Sequence, residues 1–142
     1  MVTAYDVTAN KLIEKTADEL KKMGIASPEY LKFVKSGAHA VRKPQQTDFW
    51  YLRLASLLRQ AYTKGKVGVN SLRTHYGGRQ KRGRQREHHR DAAGSIIRRG
   101  LQALEKHDLI KKEKVGRTLT PKGRALLDKV AKEVSGEPKH AA

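Results

Sequence analysis

Between Arg79 and Asp91 the chain reads RQKRGRQREHHRD, with six Lys or Arg, two acids and no apolar side chain. Such a segment has nothing to bury, so it is expected to form a solvated or polyanion-bound loop, and the core must come from the sequence on either side of it. The whole chain carries 31 Lys and Arg against 14 Asp and Glu over 142 residues, a formal net charge of +17. Both sides of Gly78 are basic, no repeat or composition shift divides the chain, and one domain over residues 1–142 is expected. A polyanion is the most economical partner. Cysteine is absent, which excludes a disulfide scaffold, a thiolate zinc site and a cysteine nucleophile. The run Phe49-Trp50-Tyr51-Leu52 is far too short to cross a bilayer, and MVTAYDVTANK lacks a signal peptide's apolar core, so no membrane partner and a cytoplasmic location are expected.

Helical periodicity organises most of the rest. Thr8 is a candidate N-cap for a helix carrying Ala9, Leu12, Ile13, Ala17, Leu20 and Met23 on one face, with Gly24 as its stop. Ser27-Pro28-Glu29 predicts a second, short helix through Leu31 and Val34 to Gly37, followed by a loop over residues 38–47. The third helix, from about Asp48 to Thr63, is the most apolar, and it should cross the middle of the domain. Trp50, Tyr51, Leu54, Ala55, Leu57, Leu58, Ala61 and Tyr62 fill a wide arc, leaving Arg53, Ser56 and Gln60 on a polar strip with Arg59 at its margin. Val69 to Tyr76 has room for two helical turns before Gly77-Gly78. Helical spacing returns with Ala93, Ile97, Leu101 and Leu104, ending near His107 and Asp108. Leu109–Lys112 and Arg117–Leu119 then read as two short strands of a hairpin. Thr120-Pro121 opens a last helix with Leu126, Leu127, Val130, Ala131 and Val134 inward, and the tail over residues 135–142 is expected to be frayed.

This order predicts a mainly α, winged-helix-like domain with a central amphipathic helix and a two-stranded β-hairpin wing. In a duplex-reading winged helix only a short turn joins the two helices of the helix-turn-helix unit. Here Gly77 to Asp91 intervenes, which would obstruct docking in a regular groove yet suits the irregular phosphate surface of a folded RNA. A winged-helix transcription regulator stands as the competing reading, and basic arms of DNA-binding proteins keep it open. An RNA-modifying enzyme has no nominated catalytic residue.

Arg79, Lys81, Arg82, Arg84, Arg86 and Arg90 are candidate RNA-binding residues, because guanidinium forks and ammonium groups match phosphate and the run is nearly single-signed. The bland alternative is a solvated charged face, and a lipid surface would need an amphipathic helix beside it. Trp50 is a candidate for stacking on an unpaired base, although its spacing beside Leu54 and Leu57 also places it in the core. Arg53 and Arg59 meet either phosphate or a carboxylate such as Asp48, while Arg98 and Arg99 lie off the apolar face of their helix. Arg73 and Arg117 complete the candidate set. His88-His89 is the only histidine cluster and lacks a third ligand at useful spacing, so no metal is expected. Neither a Walker loop nor a nucleophile elbow is present, and no cofactor or catalytic residue is assigned.

Several separated stretches resemble one family. They are Trp50-Tyr51-x-Arg53-x-Ala55-Ser56 with Tyr62, Gly68-Val69-x-Ser71, Tyr76-Gly77-Gly78-Arg79-Gln80, Leu101-Gln102-Ala103-Leu104-Glu105, and Gly116-Arg117-x-Leu119 running into Thr120-Pro121-x-Gly123. In order and spacing they resemble the S19e family of small-subunit ribosomal proteins, and the compact, cysteine-free chain resembles an archaeal member. The resemblance implies a winged-helix-like fold around a central helix, a place in the head of the small subunit and binding to ribosomal RNA. It also implies neighbouring small-subunit proteins as partners and a role in subunit assembly and rRNA maturation. Trp50, Arg53, Arg59 and Arg99 match positions of structural or RNA-binding importance in the family. The stretch Lys81 to Arg90 is more arginine-rich than the family's eukaryotic pattern. As a free protein the chain is expected to be a monomer.

Overall fold

A computed structural model describes residues 1–136. Helix α1 spans Ala9–Lys22 and buries Leu12, Thr16, Ala17 and Leu20. Thr8 occupies the N-cap position but its hydroxyl makes no capping bond. The second helix expected from the Ser27-Pro28-Glu29 start does not form. Its place is taken by a single 3-10 turn, Glu29–Lys32, closed by Phe33 N–H donating to the Tyr30 carbonyl at 3.0 Å. Tertiary pairing wins over helix here, because Gly37 bridges to Ala92 and the Ser36 carbonyl accepts from Ala93 N–H at 2.9 Å.

Helix α2, Phe49–Lys64, lies at the centre and touches α1, α4 and α5, as its wide apolar arc requires. Helix α1 has Lys21 within 2.5 Å of Asp48 at the start of α2. Gln60, assigned by spacing to the polar strip, is 7% exposed and buried with the core. A two-residue strand too short to read from sequence, β1 (Lys66–Val67), leads into α3 (Val69–Tyr76).

The basic stretch between α3 and the next helix is not a loop. It is an antiparallel hairpin of β2 (Gly78–Arg82) and β3 (Gln85–Arg90), with Gly78 opposite Arg90, Arg79 opposite His89, Gln80 opposite His88, and Arg82 opposite Gln85 across a two-residue turn. Gly83, at φ 68°, supplies the left-handed residue that this turn needs. Backbone pairing requires no apolar side chains, which is why a run without any can still be strand.

Helix α4 (Gly94–Lys106) buries Ile96, Ile97, Leu101 and Leu104 and packs on both α2 and α3. Its close approach to α2 depends on Gly100, where an added Cβ would sit 2.8 Å from Leu57 Cδ1. Strands β4 (Ile110–Lys112) and β5 (Arg117–Leu119) form the expected hairpin, and β1 joins it to give a sheet of order β1-β5-β4. Helix α5, Pro121–Gly136, is capped as expected, since the Thr120 hydroxyl accepts from Gly123 N–H at 3.1 Å. Of the expected frayed tail, Ser135 and Gly136 belong to α5, and residues 137–142 lie outside the described residues. The chain is therefore helix-dominated, with a three-stranded and a two-stranded sheet beside the helices.

Candidate nucleic-acid interface

Every residue from Lys81 to Arg90 is exposed, so the hairpin projects from the body with its backbone bonds satisfied internally. Its root is tied down. Ala92 N–H donates to the Arg73 carbonyl at 3.0 Å, Arg73 Nε donates back to the Ala92 carbonyl at 3.1 Å, and the His39 ring lies against Gly37 and Gly78. On one face Arg79 reaches Glu87 at 3.4 Å, and on the other Arg90 Nε donates to Gln80 Oε1 at 3.1 Å. Lys81, Arg82, Arg84 and Arg86, around the tip, have no carboxylate within ion-pairing distance among the described residues. Four uncompensated cations thus stand at the end of a rigidly rooted two-stranded arm.

A second group lies where α3 meets α4. Arg73, Arg98 and Arg99 line one groove together with Asn70, Ser95 and Gln102. Arg98 is exposed, whereas the Arg99 guanidinium lies 4.6 Å from the centre of the Tyr30 ring. Arg73 contributes to this groove while also holding the hairpin root, so its role is partly structural.

The remaining four candidates are more enclosed. Trp50 is only 3% exposed, with its ring edge facing the Gly100 backbone of α4, so it cannot stack on a base; the core reading of its spacing is the right one. Arg117 is likewise withdrawn: on β5 it is ion-paired with Glu105 of α4, and its side chain is 13% exposed. That pair clamps the β4–β5 hairpin to α4. Neither Arg53 nor Arg59 pairs with Asp48, which is taken by Lys21. Instead the Arg53 guanidinium sits 4.0 Å from the Tyr76 ring centre and 5.2 Å from that of Phe49. Burial pulls the Arg53 guanidinium below its usual range, against the pull of Tyr76; burial pushes the Tyr76 phenol up, against the pull of Ser56 and Arg53, and the Tyr76 and Ser56 hydroxyls share a 2.6 Å hydrogen bond in which either can donate. Arg59 is half-buried nearby, its Nε enclosed and without a hydrogen-bond partner among the described residues.

Three His, Asp or Glu side chains do not converge on any one point among the described residues, and no described helix is long and apolar enough to cross a membrane. What the surface presents is cations in a fixed frame. A family profile described as ribosomal protein S19e matches residues 3–137. The chain belongs to this family. It is 43% identical over 141 residues to the small ribosomal subunit protein eS19 of Aeropyrum pernix, covering 96% of this chain and 92% of the relative. The small ribosomal subunit protein eS19 of Thermoplasma volcanium is 37% identical, covering 94% and 90%, and eS19A of Schizosaccharomyces pombe is 37% identical, covering 92% of each chain. The family is one of ribosomal proteins.

Proposed function

We propose that this chain is a structural constituent of the small ribosomal subunit that works in the cytoplasm as one RNA-binding domain, gripping ribosomal RNA in the subunit head. The observation that carries the reading is the β2–β3 hairpin, with unpaired Lys81, Arg82, Arg84 and Arg86 at its tip. Arg79 and Arg90 flank them, Arg98, Arg99 and Arg73 extend the surface along α3 and α4, and Arg59 and Arg53 border it more weakly. Each phosphate neutralised releases counterions, and the pre-formed arm orders few residues on binding, so little of that gain is lost to entropy. The same neutralisation favours compact RNA, which makes a part in subunit assembly and rRNA maturation the natural consequence. Neighbouring small-subunit proteins are its other partners, and the free protein is a monomer. Its work is binding rather than chemistry, and no cofactor is called for.

The packing of α3 on α4, with β4 and β5 following and the sheet order β1-β5-β4, supports a winged-helix-like reading of the fold. An arm standing between α3 and α4 favours folded RNA over a regular DNA groove. The test is binding to a head-domain rRNA fragment across a salt series with duplex DNA as competitor. A preference for the rRNA that survives moderate salt is expected. Equal affinity for duplex DNA at equal salt overturns the reading.

A further inference from the structure

With Trp50 sealed in the core and the exposed Tyr5 ring resting edge-on against Tyr62 at 5.2 Å, the most open aromatic face among the described residues is that of Phe33. It is 83% exposed, one of the largest apolar exposures in the described chain, and Val41 beside it is 88% exposed. Phe33, Val34, Lys35, Val41 and Lys43 line one open groove. The backbone beneath the ring is fixed, because Phe33 closes the 3-10 turn and Lys43 Nζ donates to the Lys32 carbonyl at 3.2 Å, shutting residues 32–43 into a loop. The charge here is of one sign. Lys32, Lys35, Arg42 and Lys43 are all exposed, and no acid occurs from Tyr30 to Thr47. The same loop is joined to the hairpin root through Ser36, Gly37 and His39, so it continues the basic surface rather than standing apart from it.

We infer that Phe33 is a stacking platform for an unpaired nucleotide of the RNA, with Lys35, Arg42 and Lys43 on the flanking phosphates. The inference rests on the RNA-binding reading above and adds to it a class of ligand: single-stranded nucleotides here, beside the phosphate contacts of the hairpin. An open aromatic face ringed by cations fits a base and its phosphates, because every base offers a π-face and every linkage a negative charge. Two exposed apolar side chains are too little apolar surface for the centre of a protein interface, which favours RNA over a protein neighbour.

The experiment uses the full chain and two labelled probes, an unstructured single-stranded RNA and an RNA duplex of equal length, followed by fluorescence anisotropy. Phe33→Ala is expected to weaken single-strand binding about tenfold while leaving duplex binding and the salt slope unchanged. Phe33→Trp should restore the single-strand affinity. Phe33 is exposed enough that a melting curve matching that of the parent chain is expected for both variants. Unchanged single-strand affinity in Phe33→Ala, with RNA binding still lost on charge reversal of the hairpin, overturns the platform alone and leaves the patch to a protein neighbour. Undiminished binding of both probes after hairpin charge reversal instead overturns the RNA-binding reading on which the platform rests.

Discussion

Arg82 and Arg117 are the same residue type in the same basic chain, yet their surroundings give them opposite tasks. Arg82 stands at the tip of the β2–β3 arm with no carboxylate partner among the described residues, and Arg117 is folded back onto Glu105 between β5 and α4. The first holds charge that only an outside anion can neutralise; the second has spent its charge inside the fold. Composition counts both alike, so net charge favours a polyanion partner without saying where it would sit. The largest expected effect tests the first half of this contrast. Arg82→Glu combined with Arg84→Glu should lower affinity for the rRNA fragment on the order of a hundredfold and shrink the log-salt slope by about 2. Its helicity and melting temperature should stay as in the parent chain, because the arm packs no core residue. A cooperative loss of helicity would show that the hairpin is needed for folding.

The opposite pattern is expected at the clamp. Arg117→Ala leaves Glu105 without its partner in a site where both side chains are less than a third exposed, at 13% and 25%. Stability should fall by about 1–3 kcal/mol while rRNA affinity changes little. Urea titration checks the first, and a double-mutant cycle with Glu105→Gln isolates the pair from its surroundings. If Arg117→Ala weakened RNA binding as much as the hairpin variant does, the division between outward and inward arginines would fail.

Where the sequence was legible, a side-chain period carried the message. Helices α1, α2, α4 and α5 each expose one face and bury another, and Leu12, Leu54, Leu101 and Leu127 fall on the buried side as their spacing requires. The arm had no such period, because all of β3 is exposed and neither face of the strand is apolar. Its one readable signal was local: Gly83-Arg84 set between two polar runs is a two-residue turn with a left-handed first position. The failed second helix shows another limit, since Ser36 and Gly37 are claimed by Ala92 and Ala93, residues far along the chain. Arg117 belongs with these cases. Its partner Glu105 is distant enough in sequence that only the fold reveals the pair, just as only the fold separates buried Trp50 from exposed Phe33.

Between the two extremes lies Arg53, stacked on Tyr76 and partly withdrawn from water. Arg53→Met keeps an unbranched apolar stem and removes the guanidinium, so it tests what the charged group contributes against the Tyr76 ring. A loss of about 1 kcal/mol in chemical denaturation is expected, with a smaller loss of rRNA affinity than either hairpin arginine gives. An affinity loss equal to that of the hairpin variant would move Arg53 to the outward group.

The smallest effect concerns His75, next to Tyr76 on α3, whose rings meet edge to face at 4.9 Å. Burial holds the His75 imidazole below its usual range, and the nearby Lys64, Arg53 and Arg59 charges act in the same direction. The folded protein therefore binds this proton less readily than the unfolded chain does. Between the depressed folded value and the ordinary value of about 6.5, the unfolded state carries more protons, so stability rises with pH across that window and falls on acidification through it. His75→Gln should flatten that part of the stability profile and leave the rest unchanged. Because the charged neighbours contribute through solvent, added salt should shrink the slope in the parent chain as well. Were RNA to occupy the Arg53 and Arg59 surface, its phosphates would offset the cations that oppose protonation, and the bound protein should show a higher His75 titration midpoint by NMR. An unchanged midpoint in the complex would place the RNA path on the hairpin and α4 alone, away from this end of α3.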